Sequence, residues 1–262
     1  MANHSPSLIL SLDFDGTTVD PIGSPPVHKA LVNALTRLRG QGAVWVVNTG
    51  RTLEYTEEGL QWCGIPFPPD YLIVEETCLL EPHGDEWVDV NDWNMRRAFA
   101  CREMVYHAPE FFELIQKFVE DQTSATFIEK AHAPHEIIAS TEAEMDGICE
   151  VIETHREADP DSSIHYERNT IYLRFAHRDF NKGTSLAELG RHLSVEADCI
   201  FAAGDNYNDL PKLDPEVAAH LACPANSIET VKETVRLSGG YVAGAEYGEG
   251  VAEALNHFFP AV

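Results

Sequence analysis

Leu8-Ile9-Leu10-Ser11-Leu12-Asp13-Phe14-Asp15-Gly16-Thr17 is the stretch whose reading decides the fold. A short apolar run meets two aspartates and a glycine, which reads as a buried strand ending in a polar loop. Two carboxylates two residues apart, leaving a strand end, can converge on one point. Gly16 lets the chain turn sharply behind them. Such a pair can divide labour, one carboxylate attacking or binding metal while the other transfers protons. Taken alone, the pattern also fits a solvated turn, because Asp and Gly are ordinary turn residues.

Outward from this strand, apolar residues at helical spacing over 27–38 predict a helix that Gly40 and Gly42 stop. Residues 43–47 predict a second apolar strand, ending at Asn48-Thr49-Gly50-Arg51. A helical segment runs to about Cys63 and is broken by Pro66-Phe67-Pro68-Pro69, and 71–74 predicts a third strand. This alternation implies an α/β domain with a Rossmann-like parallel sheet covered on both faces. The rhythm then changes. Over 81–176 the expected elements are helices at 111–119 and 141–156 and strands at 126–129, 136–140 and 170–175. That order predicts an inserted α+β domain with an antiparallel sheet. The α/β rhythm resumes with a helix over 182–193, a strand over 199–203, and alternating elements to 259. The expected organisation is a discontinuous core, 1–80 and 177–262, interrupted by one insert, 81–176.

Composition narrows the function. Against 18 Lys+Arg the chain carries 43 Asp+Glu, a formal net charge of −25. A nucleic-acid binder needs a basic footprint, so that class is excluded, as is docking on anionic lipid. No apolar run approaches the roughly 20 residues of a membrane span. Residues 1–6 lack a cationic region ahead of an apolar core, so no cleaved signal peptide is expected. The cysteines at 63, 78, 101, 149, 199 and 223 form no CxxC and no zinc spacing with His. They read as small core residues in a reducing compartment, and the expected location is cytoplasmic. So acidic a chain repels anions at long range, but exposed charges are screened beyond about 10 Å, so the local field decides.

Three further motifs sit where open α/β sheets place their sites, at the carboxyl ends of strands. Thr49 and Gly50, between a strand and a helix, offer a hydroxyl and backbone N–H groups to an anion. Lys182-Gly183 opens a helix, where lysine opposes the macrodipole and so points to an anion that it serves. Gly204-Asp205-Asn206-Tyr207-Asn208-Asp209 follows an apolar strand and brings further carboxylates. Each alone is weak: Thr also caps helices, an exposed lysine is ordinary, and an acidic loop is ordinary.

Together, in this order and spacing, the motifs resemble the haloacid dehalogenase superfamily of phosphatases and phosphotransferases. The insert's position and α+β character resemble a class IIB cap, as in the Cof-type and sucrose-phosphatase-like branches. The stretch Asp70-Tyr71-Leu72-Ile73-Val74 resembles the third strand of the latter branch. Where relatives commonly carry a small Gly-containing turn, this chain has Glu75-Glu76-Thr77-Cys78. The resemblance implies Asp13 as the nucleophile that forms an aspartyl-phosphate and Asp15 as general acid and base. It implies Thr49, Gly50, Lys182 and Asn208 around the phosphoryl oxygens. It implies Mg²⁺ held among Asp13, the Asp15 carbonyl, Asp205 and Asp209. The implied substrate is a small phosphorylated metabolite, a sugar phosphate first among them.

The cap is expected to read the leaving group through polar residues near its strand ends: Arg168, Asn169, Arg174, His165 and Glu129. His132 and His135 read as solvated surface, and Trp87 and Trp93 as packing of the cap or its hinge. A sugar phosphomutase using the same nucleophile is the nearest rival, and a non-catalytic sensor or scaffold on this fold is the other. The Thr49-Gly50-Arg51 motif favours hydrolysis over the first, and the complete set Asp13, Asp15, Lys182 and Asp205 disfavours the second.

Overall fold

A computed structural model describes residues 6–130, 134–159 and 161–261. The chain runs β1 (Leu8–Leu12), α1 (Lys29–Arg39), β2 (Ala43–Asn48), α2 (Leu53–Cys63), β3 (Tyr71–Val74), β4 (Cys78–His83) and β5 (Glu86–Asp89). It continues with α3 (Trp93–His107), α4 (Pro109–Gln122), β6 (Thr126–Ile128), β7 (Glu136–Ile138), α5 (Glu142–Glu157), β8 (Ile164–Asn169) and β9 (Tyr172–His177). It ends with α6 (Lys182–Leu193), β10 (Ile200–Ala203), β11 (His220–Cys223), α7 (Glu229–Leu237), β12 (Tyr241–Val242) and α8 (Tyr247–Phe258). One compact unit takes the chain up to Trp93 and from Lys182 onward, and the other is Asn94–Asn181.

The first unit is built on one sheet of order β12-β11-β10-β1-β2-β3-β4-β5. From β12 to β3 every pairing is parallel. All of β1 is buried, as befits a central strand covered on both faces. β1 lies between β2 and β10, so the chain order runs outward in opposite directions from it. That is a topological switch point, where a crevice opens at the carboxyl ends of the strands. Leu10, Leu12, Phe14, Trp45 and Phe201 fill the core together with Leu31 and Leu35 of α1 and Leu255 of α8. Helix α2 starts where Thr52 accepts a hydrogen bond from the Tyr55 amide and ends at Gly64, whose φ of +72° suits a glycine.

The unit boundaries differ from the expected 81 and 176. β4 and β5 add to the core sheet as an antiparallel hairpin, with Leu79 and Leu80 buried, so 81–93 pack with the core. Trp87 packs against that same core, and the Trp93 indole donates to the Thr77 carbonyl at 2.8 Å. Pro82 and His83 at the end of β4, with Gly84 in the turn behind them, hide the strand pattern in the sequence.

The second unit has one antiparallel sheet, β6-β7-β9-β8. Ile137, Leu173 and Phe175 bury one face of it against Phe112 and Ile115 of α4 and Met145, Ile148 and Ile152 of α5. His135 corrects its expected place on the surface. It is buried against the Phe112 ring at 4.8 Å, its Nδ1 accepts from the Lys130 amide, and burial lowers its pKa. His132 lies outside the described residues. Among the described residues no helix is long and apolar enough to cross a membrane. The cysteines are free thiols.

Candidate active site

The Asp13 amide donates to the Ala203 carbonyl at 3.0 Å, which prolongs the β1–β10 ladder and aims the Asp13 side chain over the strand ends. Gly16 turns at φ +78°, and a Cβ there would meet the Asp205 carboxylate at 2.5 Å. Only glycine lets the β1 loop lie over Asp205. Thr17 Oγ1 then donates to Asp205 Oδ1 at 2.7 Å, tying the first motif to the fourth.

Lys182 is fully buried at the start of α6. Its Nζ donates to Asp13 Oδ1 at 2.7 Å and to Asp209 Oδ1 at 2.8 Å, and lies 3.6 Å from Glu76 Oε2. Burial pulls the lysine pKa down, but the charges of Asp13, Asp209 and Glu76 outweigh it and leave it raised. Lys212, also fully buried, pairs with Asp209 Oδ1 at 2.7 Å, and its pKa is lowered, first by burial. Asp209 Oδ2 accepts from the amides of Asp205 at 2.9 Å and Asn206 at 3.1 Å. Although burial disfavours its charge, the two lysines hold its pKa below the carboxylate range. With both oxygens so engaged, Asp209 anchors the loop and the lysines.

Asp13, Asp205 and Asp209 bring carboxylate oxygens within 4.8 Å of one another, a cluster able to hold a metal ion. Their electrostatics ask for one. Burial and the Asp209 charge raise the Asp13 pKa well above its ordinary value, and the same causes raise Asp205 to about 7. Hard carboxylate oxygens crowded together in a buried site suit a hard divalent cation. Asp13 and Asp205 have oxygens left for it.

The Asp15 carboxylate is not one of the three in this cluster. Arg51 grips it with two hydrogen bonds, Nε to Oδ2 at 2.7 Å and a terminal nitrogen to Oδ1 at 2.6 Å. The guanidinium also donates to the Tyr55 carbonyl and lies 4.9 Å over the Phe14 ring. Thr49 is held by its amide on the Ile73 carbonyl. Asn208 Nδ2 donates to Glu76 Oε1 at 3.1 Å. The structure therefore gathers Asp13, Lys182, Asp205, Asn208 and Asp209 from the ends of β1 and β10 and the start of α6.

Sequence reasoning gave Arg51 no role beyond its place in the Thr49-Gly50-Arg51 motif, and gave Glu76 and Lys212 none. Lys212 left a signal only in its spacing, three residues after Asp209. Glu76 left one in the unusual Glu75-Glu76 turn, where both residues have positive φ.

The expected specificity residues of the insert are not all together. In the β8–β9 register His165, Asn169 and Arg174 share one sheet face, and Arg174 pairs with Glu136 at 2.8 Å. Arg168 is on the opposite face, where it meets Asp146 of α5 at 2.7 Å. Glu129 follows the end of β6.

Gly183 allows a close crossing that Lys182 depends on. A Cβ there would collide with the Pro211 carbonyl, which belongs to the same short 3-10 segment, Tyr207–Lys212, as Asn208 and Asp209. Gly183→Ala is expected to cost about 1–3 kcal/mol. Pushing Asp209 from Lys182 should lower both the thermal midpoint and turnover; an unchanged melt with full turnover would refute the crossing's importance.

A family model of haloacid dehalogenase-like hydrolases matches residues 83–255. The phosphoglycolate phosphatase of Methanothermobacter thermautotrophicus is 32% identical over 106 residues, 40% of this chain and 45% of that protein, so less than half of that relative is spanned. The phosphoglycolate phosphatase of Methanopyrus kandleri is 25% identical over 259 residues, 98% of each chain. The solved sucrose-phosphatase of Synechocystis sp. PCC6803, in complex with sucrose and phosphate, superposes with a TM-score of 0.72 at 16% identity over 97% of this chain and 98% of that one. With the fold matched over nearly its whole length and the family model over most of it, the chain belongs to the haloacid dehalogenase-like hydrolases.

Proposed function

We propose that this chain is a phosphoric monoester hydrolase that removes phosphate from a small phosphorylated metabolite through an aspartyl-phosphate on Asp13. The observation that carries the reading is the Lys182 ammonium, buried and bridging Asp13 and Asp209 at 2.7 and 2.8 Å. That bridge restrains one Asp13 oxygen and leaves the other to attack phosphorus in line. As the P–O bond to the alcohol breaks, Asp15 supplies the proton that the leaving oxygen needs. Asp15 then takes a proton from the water that attacks the aspartyl-phosphate, which frees phosphate and restores Asp13. For either step Asp15 has to turn out of the Arg51 fork. Thr49, the Gly50 amide, Lys182 and Asn208 bind the phosphoryl oxygens.

Asp13, Asp205 and the Asp15 main-chain carbonyl would hold Mg²⁺, which would supply charge neutralisation at the transferring phosphoryl group. A sugar phosphate is the first substrate class to test, with the relatives' phosphoglycolate and sucrose phosphate beside it. The insert is proposed to read the leaving group, with His165, Asn169 and Arg174 on a common face ahead of Arg168 and Glu129.

Phosphate release is expected from at least one ester in such a panel when Mg²⁺ is supplied. It should cease in excess chelator and return on adding Mg²⁺ back. Full activity in excess chelator sinks the metal assignment, and sugar-phosphate isomers formed without release favour a mutase. No turnover of any phosphoester with metal bound would favour a non-catalytic role.

A further inference from the structure

Glu76 is a buried acid with no part in the proposed reaction. It is 7% exposed and holds φ at +70°, a conformation that costs a side chain like glutamate. Its amide donates to the Thr49 carbonyl at 3.0 Å, which lays the β3–β4 turn against the loop after β2. The carboxylate then reaches across. Oε1 accepts from Asn208 Nδ2 at 3.1 Å, and Oε2 lies 3.6 Å from Lys182 Nζ with no hydrogen-bond partner of its own. A Cβ on Gly50 would collide with Oε1, so the carboxylate also lies directly against Gly50.

Gly50, Lys182 and Asn208 are three of the groups assigned to the phosphoryl oxygens, and all three converge on this one carboxylate. An anion seat works by convergent donors and positive charge. A carboxylate that is hydrogen-bonded to Asn208, ion-paired with Lys182 and packed against Gly50 occupies it. A phosphoryl dianion cannot share the seat, because like charges a few ångströms apart repel strongly where water is excluded.

We propose that Glu76 is an internal stand-in for the phosphoryl group. Its carboxylate closes the seat in the free protein, and substrate phosphate binds by displacing it from Asn208 and Lys182. This rests on the phosphatase reading and adds a displacement step to its phosphate binding. Free inorganic phosphate has only the contacts of the seat with which to expel Glu76. An ester has those contacts and also whatever its alcohol part gains elsewhere. Displacing Glu76 costs phosphate and ester alike, so Glu76 weakens the binding of free phosphate, and the ester must recover that cost through its alcohol part.

The test is calorimetric titration of inorganic phosphate, with Mg²⁺ present, into the full chain and its Glu76→Gln, Glu76→Ala and Glu76→Gly variants. Gln keeps the shape and loses the charge, and Gly relieves the positive φ, so at least one variant should fold as the parent does. Phosphate is expected to bind folded variants about tenfold or more tightly than the parent. In steady state, phosphate inhibition strengthens and KM for the ester falls by a larger factor than kcat changes. A purely structural role for Glu76 predicts the reverse, weaker binding. Equal or weaker phosphate binding by a folded Glu76→Gln overturns this inference alone. Failure of the parent and every variant to bind phosphate overturns the seat itself, and with it the phosphatase reading.

Discussion

Asp13→Asn is expected to reduce phosphate release by at least about four orders of magnitude while leaving the fold intact. The amide is nearly isosteric with the carboxylate but is not a nucleophile toward phosphorus, so no aspartyl-phosphate forms. Structure should survive for three reasons. The Asp13 amide, which extends the β1–β10 ladder, is unaffected. The Asn Oδ1 can still accept from Lys182. The change also removes one negative charge from a buried group that already includes Asp205 and Asp209, the crowding that raises the Asp13 pKa. The metal-free protein should therefore melt at the parent's temperature or above it. Removing a charge from an active site commonly trades function for stability in this way. Phosphate release and a thermal melt on the same preparation check both halves. Release within about tenfold of the parent would remove Asp13 as the nucleophile.

The sheet was legible because its strands are apolar and its loops are not. Leu8–Leu12 and Ile200–Ala203 are short runs with no polar interruption but Ser11, the first ending at Asp13 and the second at Gly204-Asp205. Their carboxylates had to lie at one end of a parallel sheet, and they do. Elements that mix polar and apolar residues were harder. β8 reads Ile-His-Tyr-Glu-Arg-Asn and earns its strand only through pairing with β9 along its full length. α3 carries weak amphipathic patterning, so nothing in its periodicity announces a helix. The site divides in the same way. Asp13, Lys182 and Asp205 could be read from motifs at element ends. Glu76 and Lys212 could not, since their roles come from contacts across 132 residues of chain for Glu76 with Asn208, and from depth of burial for Lys212. Arg51 was visible as part of a motif, but its bidentate grip on Asp15 depends on how the loops after β1 and β2 face each other.

Lys182→Met should have the second largest effect, and on stability as well as on turnover. Met fills the volume of the lysine stem, so the change removes the ammonium and leaves no large cavity. What it leaves is electrostatic. Asp13, Asp209 and Glu76 would face one another within a few ångströms, with Lys212 the cation still paired to Asp209. Breaking a buried pair by deleting one partner typically costs about 3–5 kcal/mol, because the other charge stays buried and uncompensated. Proton uptake by Asp13 would soften that cost but also disarm the nucleophile. Turnover should fall by about a thousandfold or more, since the phosphoryl oxygens lose their buried cation. Added Mg²⁺ separates the two effects. A cation that binds the folded state stabilises it by mass action, and the Met variant has more uncompensated negative charge to offer. Its thermal midpoint should therefore rise more with Mg²⁺ than the parent's does, while phosphate release stays low. If the variant melts like the parent without metal, the carboxylates do not depend on Lys182. If Mg²⁺ restores turnover along with stability, the lysine serves the cluster's charge balance and not the phosphoryl group.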